Sequence, residues 1–124
     1  RLAVIEEDNP LHIKGMISKS AAVFTSRFHG LVSCLSQAVP CLATTWCHKY
    51  EMLLNDYNYS EALLDIHCDD DLLFMKVKSI LTEPSKSLII ENLKNEGLKQ
   101  KALSEEMWKQ VFKKMKGDSL TRQL

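Results

Sequence analysis

Long apolar runs are absent from this chain. No stretch approaches the about 20 consecutive apolar residues that a membrane-spanning helix needs. A charge imbalance is absent too. Lys plus Arg and Asp plus Glu both number 16, so net charge offers no argument for a nucleic-acid or membrane partner. Cysteine is sparse: Cys34, Cys41, Cys47 and Cys68 include no CxxC pair and lack the density of a secreted disulfide framework. Free thiols in a reducing compartment are the simplest reading. Cys47-His48 and His67-Cys68 fall outside the usual ligand spacings of a zinc site. Repeats and low-complexity segments are also missing. The chain opens on Arg1 without a Met or a signal-peptide pattern, and Arg1–Glu6 reads as the end of a strand, so a fragment of a longer protein is expected.

What is present suits one globular domain. The 124 residues are 45% hydrophobic and 26% charged, ordinary values for a chain of this size with a real core. Leu2-Ala3-Val4-Ile5 is β-capable. Asn9-Pro10 is a helix start, with Asn as N-cap and Pro in the first turn. Leu11, Ile13, Met16 and Ile17 would give that helix an apolar face. Ala21–Thr25 is expected as a strand buried on both faces, and Gly30–Ala38 as a small-residue helix packed closely on a sheet. Pro40 ends that segment, and Cys41–Thr45 reads as the next buried strand. Tyr50–Tyr57 reads as a helix and Ala62–Ile66 as a short edge strand. Alternation of this kind predicts a parallel α/β sheet flanked by helices. The chain divides into an α/β core over 1–69 and a helical region over 70–124 that packs on the same domain. One tail helix should end near Pro84. A second should run from about Ser85 to Lys116, with a break at Gly97, a stop at Gly117 and fraying beyond Asp118.

The informative stretch is Ser26–Lys49. From Phe28 to Tyr50 there is no Asp or Glu, yet Arg27, His29, His48 and Lys49 lie in or beside it. Parallel sheets place their binding crevice at the carboxyl ends of the strands. Arg27 and His29 follow one predicted strand and Lys49 the next, so adjacent strands would bring them to one edge. A helix amino terminus near Gly30 would add backbone N–H donors, and with Arg and Lys it makes a recipe for holding phosphate or carboxylate. Gly30, without a Cβ, would let an anion near the backbone. Ser26, Thr44 and Thr45 are further donors. The plainer reading stands beside this one: Arg27 and Lys49 fit solvated loops, His29 a helix cap, Ser26 and the threonines turns, and Trp46 either a pocket wall or core.

Ser26-Arg27-Phe28-His29-Gly30-Leu31, then Ser33–Ala43 with its Val39-Pro40 step, then Lys49, resembles the polysaccharide pyruvyl transferase family in order and spacing. The resemblance covers about Gly15 to Ile66, and the tail after Asp69 shares only its helical character. It departs at Trp46-Cys47-His48, where many relatives carry a Tyr-Asp-Pro-like run, which leaves the sugar acceptor open. The resemblance implies a Rossmann-like lobe, the carboxyl-terminal one of a GT-B-type fold, with the amino-terminal lobe absent from this chain. It implies transfer of pyruvate from phosphoenolpyruvate to a hydroxyl pair of a cell-surface glycan sugar, with no metal and no cofactor beyond the donor. Ser26, Arg27, Phe28, His29, Gly30, Leu31, Thr45 and Lys49 would then bind substrate. Arg27 would clamp an anion through its planar fork. His29, as the imidazole of the motif, would contact the ligand and move a proton, and Lys49 would touch phosphate.

Two other readings remain. One is a GT-B nucleotide-sugar glycosyltransferase or epimerase lobe, which would need an acid for the ribose hydroxyls that Gly30–Ala38 does not supply. The other is a non-catalytic interaction domain, since Leu88, Ile89, Ile90, Leu93, Leu98, Leu103, Met107, Trp108, Val111, Phe112 and Met115 give the tail much apolar surface. That surface is expected to pack on the same domain or on the absent amino-terminal lobe, or, without that lobe, to drive self-association. The expected location is the cytoplasm, near the membrane where glycan precursors are built. The isolated chain is expected to be inactive, because the cleft between lobes is incomplete.

Overall fold

Two kinds of signal in the chain, short β-branched or small apolar runs and capped helical stretches, resolve among the described residues into three strands and five α-helices. The structure, a computed structural model, describes residues 1–44 and 47–122, with side chains as far as Asp118. The order is α1 (Pro10–Ser18), β1 (Val23–Thr25), α2 (Phe28–Ser36), β2 (Cys41–Thr44), α3 (His48–Asp56), a 3-10 turn (Ser60–Ala62), β3 (Leu63–Leu64), α4 (Asp70–Leu81) and α5 (Ser85–Arg122). The strands form one parallel sheet in the order β1-β2-β3, with Val23 opposite Cys41 and Ala43 opposite Leu63. All three strands therefore deliver their carboxyl ends to the same edge.

The expected helix start holds: Asn9 Oδ1 accepts from the Leu11 N–H at 2.9 Å, and Pro10 opens α1. The segment before it differs from expectation. Residues 1–9 have no regular structure, and Leu2, Val4 and Ile5 are exposed. No sheet partner reaches them, so a β-capable run stays irregular. The apolar face of α1 narrows to Ile17, which packs on the core, while Leu11, Ile13 and Met16 face solvent. β1 is an edge strand with β2 as its partner, so Phe24 is 51% exposed rather than buried on both faces.

The core forms around β2. Cys41 and Ala43 face a cluster with Leu31, Cys34 and Leu35 of α2, Tyr50 and Leu54 of α3, Tyr59, Ala62 and Leu93 of α5. Leu42, alternating to the other side of the strand, is buried outside that cluster, as is Ile80 of α4. No described polar or charged residue is buried. Tyr59 shows how a polar atom enters such a core: its hydroxyl donates to the Cys41 carbonyl at 3.0 Å, and burial pushes its pKa above the ordinary phenol value. The Cys34 and Cys41 thiols share a hydrogen bond that, with burial, drives the Cys41 pKa upward. None of the four cysteines forms a disulfide.

Helices α2 and α3 end alike. Ala38 and Asn58 adopt the left-handed conformation, with φ of 55° and 49°. The Val39 N–H then reaches the Cys34 carbonyl at 2.9 Å, and the Tyr59 N–H reaches the Leu54 carbonyl at 2.8 Å. Each turn is a Schellman motif. Each reverses the chain and drops a large apolar residue, Val39 or Tyr59, into the core before the next strand.

The tail corrects three expectations. α5 runs without a break through Gly97 and without a stop at Gly117, and its backbone stays helical to Arg122 instead of fraying after Asp118. At Gly97 the reason is packing, because the Tyr57 ring lies across the helix there. The Asn92 amide donates to the Tyr57 carbonyl at 3.1 Å and the Gln100 amide to the Asp56 carbonyl at 3.0 Å, tying the first half of α5 to the end of α3. No described helix is long and apolar enough to cross a membrane.

Candidate functional site

The turn after β1 is built by a threonine. Thr25 Oγ1 accepts from the Arg27 N–H at 3.0 Å and donates to the Arg27 carbonyl at 3.2 Å. This double clasp bends the chain sharply from strand to helix. Arg27 is the N-cap of α2 in an extended conformation, without a side-chain capping bond. The first intrahelical bond runs from the Leu31 N–H to the Arg27 carbonyl at 3.0 Å. The amides of Phe28, His29 and Gly30 precede it and are the donors this helix end can present.

Gly30 is required for a different reason from the one its sequence context suggests. A Cβ there would lie 2.6 Å from Thr25 Oγ1. The missing side chain makes room for the threonine clasp. Leu31 is fully buried in the core cluster and its amide is already bonded, so its part in the motif is to anchor α2.

The adjoining strand brings the second half of the site. β2 pairs directly with β1, and α3 begins just beyond it, with Cys47 as its N-cap. Phe28 joins the two helix starts. Its ring packs edge-on against Tyr50 at 5.5 Å and against His29 at 6.0 Å between centroids. Lys49 Nζ stands 4.6 Å from the centre of the same ring, a cation–π contact. Tyr50, only 8% exposed, donates from its hydroxyl to the Ser26 carbonyl at 3.0 Å. Ser26, Phe28, His29, Lys49 and Tyr50 thus form one unit at the carboxyl edge of the sheet, with Arg27 on the exposed crest of the turn.

Tyr50 is the residue the sequence reading missed as part of this site. The available signal was an aromatic directly after the lysine, in a helix whose first turn must face the β1–α2 loop. Thr25 was missed likewise, its signal being a hydroxyl two residues before the arginine. Thr45, a predicted ligand donor, and Trp46 lie outside the described residues. Of the other basic groups, His48 Nδ1 pairs with Glu51 Oε2 at 3.2 Å on the exposed side of α3. Among the described residues no three His, Cys, Asp or Glu side chains gather as metal ligands.

Two parallel strands, two helix amino termini and a cationic rim with no acid between Arg27 and Tyr50 form an arrangement suited to anions. Residues 2–48 match the family model of polysaccharide pyruvyl transferase. The match takes in α1, β1, α2, β2 and the whole Ser26–Leu31 motif, and stops one residue before Lys49. Compared with the Gly15–Ile66 span of the resemblance, it begins earlier and ends earlier. The segment that matches the family model therefore carries Arg27 and His29, while β3, α4 and α5 fall outside it. No curated protein and no solved structure matches the chain.

Proposed function

We propose that this chain carries the donor half-site of a polysaccharide pyruvyl transferase-like enzyme acting on phosphoenolpyruvate in cell-surface glycan synthesis. The observation that carries this reading is the joining of the Ser26–His29 turn to Lys49 and Tyr50 through Phe28, within and beside the segment that matches the family.

Phosphoenolpyruvate presents a carboxylate and a phosphate a few ångströms apart. In this reading Arg27 grips one through two parallel N–H donors, and the amides of Phe28, His29 and Gly30 hold the other. Lys49, steered by the Phe28 ring, adds a point charge at the phosphate. One sugar hydroxyl gives up its proton as its oxygen bonds to the central carbon of the donor, and the methylene carbon takes up a proton in exchange. The second hydroxyl oxygen then replaces phosphate, its proton leaving with that phosphate, and a pyruvate ketal remains. In this reading His29 moves one of those protons. The GT-B architecture, with a further lobe contributing the acceptor side, and a cytoplasmic setting belong to the same proposal.

Amide NMR of the chain with added phosphoenolpyruvate, with uridine diphosphate as competitor and Arg27→Ala as control, tests it. The expected result is shifts across Arg27–Leu31 with phosphoenolpyruvate that disappear in the variant. Shifts with uridine diphosphate alone would replace this reading with a nucleotide-sugar lobe.

A further inference from the structure

Two peptide planes flank Arg27, and both are pinned. The plane between Ser26 and Arg27 is held at each end. Its N–H donates to Thr25 Oγ1 at 3.0 Å, and its carbonyl accepts from the Tyr50 hydroxyl at 3.0 Å. The plane between Arg27 and Phe28 is held at its carbonyl, by the Leu31 N–H at 3.0 Å and the Thr25 hydroxyl at 3.2 Å. A peptide plane is rigid, so a fixed carbonyl also aims the N–H at its other end. That N–H belongs to Phe28, the first of the donors α2 presents.

These bonds differ in reach. Thr25 and Leu31 lie within four residues of Arg27, so their bonds set the shape of the turn and travel with it. Tyr50 is 24 residues from Ser26, in α3. Among the described residues it makes the one hydrogen bond that joins residues 26–30 to another element. Its place on α3 matters, because Lys49 is the residue before it. Lys49 Nζ stands 4.6 Å from the centre of the Phe28 ring and 5.9 Å from that of the Tyr50 ring, and the two rings pack edge-on. The bond that fixes the turn therefore also fixes the element that carries the ammonium.

We propose that Tyr50 is a positioning residue: its hydroxyl, on the Ser26 carbonyl, holds the α2 amides and the Lys49 ammonium in one arrangement, so that an anion meets both. This rests on the anion-binding reading of the site, and Tyr50 itself touches no ligand. Order already present in the free protein is not lost again on binding, and that is how such a bond raises affinity.

Amide NMR of the full chain, titrated with inorganic phosphate and separately with phosphoenolpyruvate, tests this. Tyr50→Phe keeps the ring and its packing on Phe28 and removes the hydroxyl. Its affinity for either anion should fall roughly three- to tenfold, the equivalent of one neutral hydrogen bond. Backbone order parameters of residues 27–30 in the ligand-free chain should fall as well. Tyr59→Phe is the control. It deletes the same kind of bond, to the Cys41 carbonyl at 3.0 Å, at the amino end of β2 and so at the edge of the sheet away from the site. It should leave both readouts at their wild-type values. In a Lys49→Ala background Tyr50→Phe should cost a smaller fold-loss, because one of the two groups it aligns is gone.

Wild-type phosphate affinity in Tyr50→Phe overturns the proposal and leaves the donor reading standing. Equal losses in Tyr50→Phe and Tyr59→Phe overturn it too, since they show a general loosening of the core. A loss undiminished by Lys49→Ala overturns the joining of the two helix starts. Wild-type chain that binds phosphate but not phosphoenolpyruvate removes the donor reading alone, and binding of neither removes both.

Discussion

Helix α2 and the far half of α5 are both amphipathic, and they have opposite fates. In nine residues α2 buries Leu31, Cys34 and Leu35 almost completely, and it carries the turn that presents Arg27 and His29. Residues 101–118 of α5, twice as long and bearing larger apolar side chains, bury none of them. The difference lies in what each helix returns to. A Schellman turn at Ala38 sends the chain from α2 straight back into the sheet, so its apolar face must close on β2. α5 has no strand to return to among the described residues and runs past the edge of the core. Apolar content alone does not make a core. A surface within reach does, and connectivity sets that reach.

The contrast can be broken most sharply at Leu31. Leu31→Ala removes a side chain with no exposed surface and should cost about 3 kcal/mol in urea unfolding. Leu103→Ala, on the projecting helix, should stay within about 0.5 kcal/mol when measured at monomer concentrations. Equal losses at the two positions would mean that α5 is packed against something in solution.

Two of the glycines inside helices sharpen the comparison with smaller effects. At Gly30 a new Cβ would displace Thr25 Oγ1 and break its two bonds to Arg27. Gly30→Ala gains about 1 kcal/mol of helix propensity but loses those bonds and adds strain, each about 1 kcal/mol. The net expectation is a loss of about 1 kcal/mol, with amide shifts in the NMR spectrum concentrated at Arg27–His29. Gly97 is the reverse case. There the nearest atom to a new Cβ is Tyr57 Cε1 at 3.9 Å, an ordinary contact. Gly97→Ala should therefore raise stability by about 0.5–1 kcal/mol through helix propensity, read as a higher urea midpoint. A loss there would show that Tyr57 packs more tightly on α5 than this distance allows.

Much of the site was readable before any coordinates, for local reasons. The Asn9-Pro10 start and the β1–α2–β2 alternation that frames the site follow from signals within a few residues of each other. Leu2–Ile5 misled because β-capable residues form a strand only where a partner strand exists, and none reaches them. Gly97 misled because a glycine breaks a helix only when nothing else holds it. At Gly97 the Tyr57 ring and the Asn92 and Gln100 side chains hold it.

By itself the sequence determined the parallel α/β character of the first half, the acid-free, basic character of Ser26–Lys49 and the helical tail. Spacing, caps and missing acids are short-range properties that a chain carries with it when unfolded. Only the tertiary structure decided that Phe28 would join the two helix starts, that Tyr50 would hold the Ser26 carbonyl, and that Gly30 would serve a threonine clasp. It alone left the apolar stripe of α5 in water. Those outcomes depend on which distant segments meet, and that is set by the pairing of β1 with β2 and by how far the core extends.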